Sequence, residues 1–164
     1  MQRTEIVFEV DAHPRRVWRL LHPRPPADAG LPRVVDHPGG RITILAEGDE
    51  AQQGLVRTCE FPVPRYLLSG GRGQSWEVIV EARLGELARY QAIGRPAFSR
   101  AEGSHRLELL EGDRTRLTFV EQYEIDNRLL RFLLERRVHH AISGDNAAIY
   151  EELLGRLGRV RRIR

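Results

Sequence analysis

Between Ile42 and Ile125 six strand-like runs follow one another: Ile42 to Glu47, Leu55 to Phe61, Ser75 to Arg83, Leu87 to Ile93, Ser104 to Leu110 and Thr115 to Ile125. Turn residues fill the joints, with Gly48, Asp49 and Glu50 after the first run, Ser69 to Gly73 after the second, and Gly112 and Asp113 before the last. Connections this short favour antiparallel meanders over parallel crossovers. A sheet of this kind cannot bury one face by itself, so the chain must supply a partner layer.

That partner is predicted after the last strand. Asn127 is placed to cap a helix in which Leu130, Leu134, Val138, Ile142, Ile149, Leu153 and Leu157 recur at intervals of four or seven, forming one apolar face. Ser143, Gly144, Asp145 and Asn146 are poor helix formers within that stripe and predict a kink. Ahead of the six runs, Ile6, Phe8 and Val10 alternate with Glu5 and Glu9, which is a half-buried strand. Asp11 is the expected cap of a short helix that starts at Pro14 and ends by Pro23. Pro23 to Gly40 holds Pro23, Pro25, Pro26, Pro32 and Pro38 with the pair Gly39 and Gly40. At most one helical turn fits there, near Asp28 to Val35, and the segment reads either as a lid or as a surface excursion.

The fold class expected is therefore α+β: a curved antiparallel sheet of about seven strands wrapped around a long C-terminal helix, with one or two short helices after strand 1. It covers 1–164 as a single domain, ending in an arginine-rich tail at about 158–164. The tail reads as a solvated helix end; a contact with RNA or membrane is the alternative.

Composition removes several function classes. All 26 residues counted as Lys plus Arg are arginine, so a P-loop lysine, a Schiff-base amine and a pyridoxal-phosphate anchor are excluded. Cys59 is the single cysteine and excludes an internal disulfide. The adjacent His139 and His140 lack metal-ligand spacing, no GxSxG surrounds a serine, and Gly70, Gly71 and Gly73 read as a hairpin turn. No run approaches a membrane span and the N-terminus does not read as a signal peptide, so a cytoplasmic location is the default expectation.

Alternation places a few polar groups on apolar faces. Glu121 falls among Leu117, Phe119, Tyr123 and Ile125, where desolvation raises its pKa; it can serve as acid, base or ligand anchor, or pair structurally with an arginine. Arg57, between Leu55 and Cys59, needs Glu121, Glu77 or a bound anion as its counter-charge. Tyr90 shares a side with Ala88 and Ala92. His105 shares one with Leu107 and Leu109, as a shuttle or as a surface or structural histidine. On the helix, His139, Asp145 and Asn146 adjoin or interrupt the stripe. For Glu77, alternation turns Trp76, Val78 and Val80 inward and the glutamate outward.

The same order carries a set of local patterns: VFEVDAHPRRVWRLL at Val7 to Leu21, GLVRTCEF at Gly54 to Phe61, EVIVEA from Glu77, RYQAIGRP at Arg89 to Pro96 and TRLTFVEQYE at Thr115 to Glu124. In that order they resemble the helix-grip fold of the START and birch-pollen-allergen superfamily (SRPBCC), and within it the polyketide cyclase/dehydrase-like branch. The resemblance implies a cavity of drug-molecule size and no cofactor. It also favours an inward Glu77, against the alternation. The function expected from it is binding of a small hydrophobic or aromatic molecule, as carrier, sensor or store. The alternative is a cyclase, aromatase or dehydratase in which Arg57 orients an enolate or carbonyl oxygen and Glu121 or Tyr90 moves protons. The expected ligand-binding set is Arg57, Tyr90, His105, Leu107, Phe119, Glu121, Tyr123, Ile142 and Asn146. No nucleic-acid partner and no stable membrane insertion are expected, and a homodimer is left open.

Overall fold

The computed structural model describes residues 2–24, 30–37, 40–63, 70–95 and 99–164. In chain order they form β1 (Gln2–Val10), α1 (Pro14–Leu21), β2 (Arg33–His37), β3 (Gly40–Ala46), β4 (Val56–Pro62), β5 (Arg72–Arg83), β6 (Leu87–Arg95), β7 (Ser99–Leu110), β8 (Arg114–Ile125), α2 (Arg128–Gly155) and β9 (Val160–Arg162). The strands make one antiparallel sheet in the order β2-β3-β4-β5-β6-β7-β8-β1-β9. Register shifts between Ile44 and Ala46, and between Ile79 and Glu81, are bulges of the kind that bend a sheet. No helix among the described residues is long and apolar enough to cross a membrane.

Among the described residues the sheet has nine strands, where about seven were expected. One addition is β2, a proline-free stretch carrying Val34 and Val35 between Pro32 and Pro38, at the sheet edge where missing donors are tolerated. The helical turn expected near Asp28 to Val35 is therefore absent from its described part; residues 25–29 lie outside the described residues. The other is β9, which corrects the helix end read for the arginine-rich tail: the segment is an edge strand, with its arginines still exposed. It pairs with Phe8–Val10, Arg161 meets Glu9 at 2.7 Å, and Arg164 meets Glu5 at 3.3 Å. The open edge of β1 offered unpaired backbone groups and outward carboxylates, and the tail answers both.

Asn127 caps α2 as expected, its Oδ1 accepting from the Leu130 amide at 3.0 Å. The cap of α1 is His13 rather than Asp11, with Nδ1 accepting from the Arg15 amide. Helix α2 continues through Ser143 to Asn146 without a break. Packing on β1 and β8 outweighs the weak propensity there, and Ser143 is tied to Thr4 at 2.9 Å.

The main core joins Ile6, Phe8 and Val10 of β1 with Val17 and Trp18 of α1, Leu117 and Phe119 of β8, and Ala147 and Leu154 of α2. Smaller clusters form around Ile125 and Val138, and around Ile44, Leu55 and Ile79. The space bounded by β3 to β8 and by α2 is not filled by these clusters.

Candidate functional site

That space is a cavity of about 200 Å³. Strand register explains its walls. Arg57, Glu77, Ala92, Ala101 and Tyr123 stand opposite one another in succession from β4 to β8, and beside them run Ile79, Tyr90, Gly103 and Glu121. A third row holds Ala88, His105 and Phe119. The small residues Ala92, Gly94 and Ala101 keep the sheet surface low, while Ile142, Asn146, Ile149 and Tyr150 of α2 supply the opposite wall. Exposed Arg41, Glu60, Pro62 and Asp145 also border it and mark its open side.

Arg57 and Glu77 face each other across β4 and β5. The guanidinium gives Nε and one terminal nitrogen to the same carboxylate oxygen, both at 2.8 Å, and the Ser75 hydroxyl donates to the other oxygen at 2.9 Å. Burial works against both charges, but the mutual attraction prevails. It raises the Arg57 pKa and, with Ser75, holds the Glu77 carboxyl below its usual range.

The outward Glu77 read from alternation is thus wrong; Trp76 and Val80 are the exposed side chains, at 37% and 41%. The inward phase runs Ser75, Glu77, Ile79 and, past the bulge, Ala82. A continuous alternation cannot represent that slip, and the need of Arg57 for a carboxylate opposite it decided the phase.

Glu121 is buried and accepts two neutral donors, the Asn146 amide at 3.0 Å and the Tyr90 hydroxyl at 3.4 Å. Burial and then the negative Glu77 raise its pKa to about 7, against the opposing pull of those two hydrogen bonds. Such a group changes protonation near neutral pH.

His105 is buried on the cavity wall rather than at the surface. Its Nε2 lies 2.5 Å from the Tyr150 hydroxyl and its Nδ1 3.2 Å from His22 Nε2. Burial brings its pKa down to about 3, and His22 is pulled down for the same reason, so both rings are neutral at neutral pH.

Of the expected set, Arg57, Tyr90, His105, Phe119, Glu121, Tyr123, Ile142 and Asn146 line the cavity. Leu107 does not: it shares a face with His105 but lies further along β7, in the core with Trp18 beneath α1. His139 is also elsewhere, its Nε2 2.6 Å from Thr4 on β1. Residues missed from the sequence are Tyr150, Ser75 and His22. Tyr150 had a signal, since it follows Asn146 by four positions on the same helix face. Cys59 lines the cavity too, with its thiol pushed up to about 12 by burial and by Glu77. Among the described residues no group of three His, Cys, Asp or Glu side chains is arranged to hold a metal ion.

No family model matches the chain, and no curated protein matches it. Solved structures do. The Zhui aromatase/cyclase from Streptomyces sp. R1128 is 20% identical, covering 95% of this chain and 93% of that one with a TM-score of 0.62. Ara h 8.0201 is 13% identical over 95% and 97% of the two chains, TM-score 0.59. A conserved protein from Geobacillus kaustophilus is 14% identical over 98% and 99%, TM-score 0.59. At these identities the likeness establishes the fold alone, a helix grip in which a curved antiparallel sheet holds a long C-terminal helix.

Proposed function

We propose that this protein binds one small, compact, largely apolar or aromatic molecule between sheet and helix, as a carrier, sensor or store. One observation carries the reading: a cavity of about 200 Å³ whose wall is mostly apolar and aromatic, with a few polar groups held in fixed positions. A side-chain-filled interior would have removed this reading. The volume also narrows it. Pockets for drug-sized ligands run from about 300 Å³ upward, whereas an apolar cavity of about 150 Å³ accepts benzene. One or two rings therefore fit better than the larger molecule implied by the resemblance.

The test is thermal unfolding with one- and two-ring probes such as indole and 1-naphthol, together with mass spectrometry of molecules carried through native purification. Mass action gives about 2.7 kcal/mol of stabilisation at a hundredfold excess over Kd, which is a shift of several degrees. No shift with any such probe and no co-purifying molecule would reject the reading.

A second reading, cyclisation or dehydration of a polyketide-like substrate, is favoured by one feature, the Glu121 carboxyl poised near neutrality beside Tyr90. The Arg57 guanidinium is already matched by Glu77, which weakens its assignment to an enolate oxygen. Retained turnover of an identified substrate in Glu121→Gln, Tyr90→Phe and Arg57→Ala variants would remove these catalytic assignments.

A further inference from the structure

The charges on the cavity wall are unevenly matched. Arg57 and Glu77 satisfy each other, and Ser75 takes the remaining carboxylate oxygen. Glu121 receives only the neutral donors Tyr90 and Asn146, and no ion pair to it is found among the described residues. The other titratable groups of the enclosed wall do not supply a cation: His105 on β7 is neutral, and Tyr123 on β8 and Tyr150 on α2 keep their protons; at the open side the exposed Arg41 of β3 stands opposite Glu60 of β4, and Asp145 of α2 is a further acid. Away from that open side, the cavity therefore either carries one negative charge or keeps a proton on Glu121.

We propose that the cavity takes a compact aromatic molecule bearing a protonated amine, with the ammonium seated on Glu121 between Tyr90 and Asn146. This rests on the binding reading above and names its ligand class. The oxygens of Tyr90 and Asn146 can accept the remaining N–H groups, and the rings of Phe119 and Tyr123 on the sheet and of Tyr150 on α2 line the same cavity and can receive a cation. An anionic ligand meets the opposite situation, since Arg57 is already neutralised and Glu121 repels it. With the carboxyl pKa raised to about 7, the proton displaced by the amine is weakly held near neutral pH.

The test is isothermal titration of the full chain with 2-phenylethylamine, 2-phenylethanol and 3-phenylpropionate, which are similar in size and differ in charge. The amine should bind about tenfold or more tighter than the alcohol at pH 8, and its affinity should fall about tenfold between pH 8 and pH 6 as Glu121 takes up its proton. In folded Glu121→Gln the preference for the amine over the alcohol should vanish.

Alcohol or carboxylate binding as tight as the amine, or an amine affinity unaffected by pH and by the substitution, would overturn the inference. The pH arm needs no variant and stands if Glu121→Gln fails to fold. Stabilisation by 1-naphthol without binding of the amine overturns the amine inference alone. No response to any probe overturns the binding reading along with it.

Discussion

Tyr90 closes over Gly103, its partner across β6 and β7, so tightly that a Cβ on the glycine would stand 2.2 Å from the ring's Cζ. The ring uses the space left by the missing side chain to bring its hydroxyl to Glu121. Gly103→Ala should push the ring aside and cost about 1–3 kcal/mol in urea denaturation, as overpacking does. In a Tyr90→Ala background the same change should cost less than about 1 kcal/mol, because the pair is coupled. Equal costs in both backgrounds would place the strain elsewhere.

Removing one member of the Arg57 and Glu77 pair strands the other. Arg57→Ala should cost about 3 kcal/mol, the low end for a buried pair because the side chains retain 15% and 13% exposure. Replacing both with leucine should recover most of that loss. The pH dependence follows from the lowered Glu77 pKa: its contribution is present above the unfolded value and is lost as pH falls through the folded one. Without Arg57 the carboxyl protonates at higher pH, so the gap between wild type and Arg57→Ala should narrow from pH 7 to pH 4 in denaturant titrations.

Glu121 produces the opposite slope. Its folded carboxyl holds a proton up to about pH 7, whereas the ordinary value is 4.5, so the folded chain binds more protons across that window and loses stability as pH rises through it. Glu121→Gln should remove this loss, which amounts to roughly 3 kcal/mol at most. The stability of wild type relative to Glu121→Gln should then decline from pH 5 to pH 7 and level off by pH 8. A constant difference would mean that the carboxyl ionises normally.

Acid sensitivity should come from the histidines. His105 stays neutral in the fold down to about pH 3, while an unfolded histidine charges near its ordinary 6.5, so stability falls as pH drops between those values; His22 acts with the same sign. His105→Gln should lower the pH of acid unfolding followed by fluorescence of Trp18, whose ring lies 4.3 Å from His22. An NMR titration placing the His105 imidazole near 6.5 would contradict the burial argument.

Residues whose roles depend on local pattern were legible. Arg57, Tyr90 and Glu121 were each read onto an apolar face from their neighbours at two-residue spacing, and each does face the cavity; for Glu121 the burial of β8 alternates along the whole strand. The Asn127 cap and the apolar stripe of α2 were readable because both rest on contacts within a few residues. Glu77 was not readable by alternation, because a bulge at Val80 and a partner 20 positions away set its direction. Leu107 was placed on the correct face but at the wrong depth, since periodicity gives a side and not a position relative to α1.

By itself the sequence determined the class of structure: short joints between alternating runs required an antiparallel sheet, and one long apolar stripe required a helix to cover it. It also determined which strands would carry an arginine, a tyrosine and a glutamate on their inner faces. Tertiary structure alone decided which charges meet. Arg57 is closed off by Glu77, Glu121 is left with neutral donors, His105 is buried against Tyr150, and the arginine tail becomes an edge strand on β1. The physical reason is range. Periodicity and turn chemistry act over a few residues, whereas ion pairing, burial and edge pairing depend on groups brought together from distant parts of the chain.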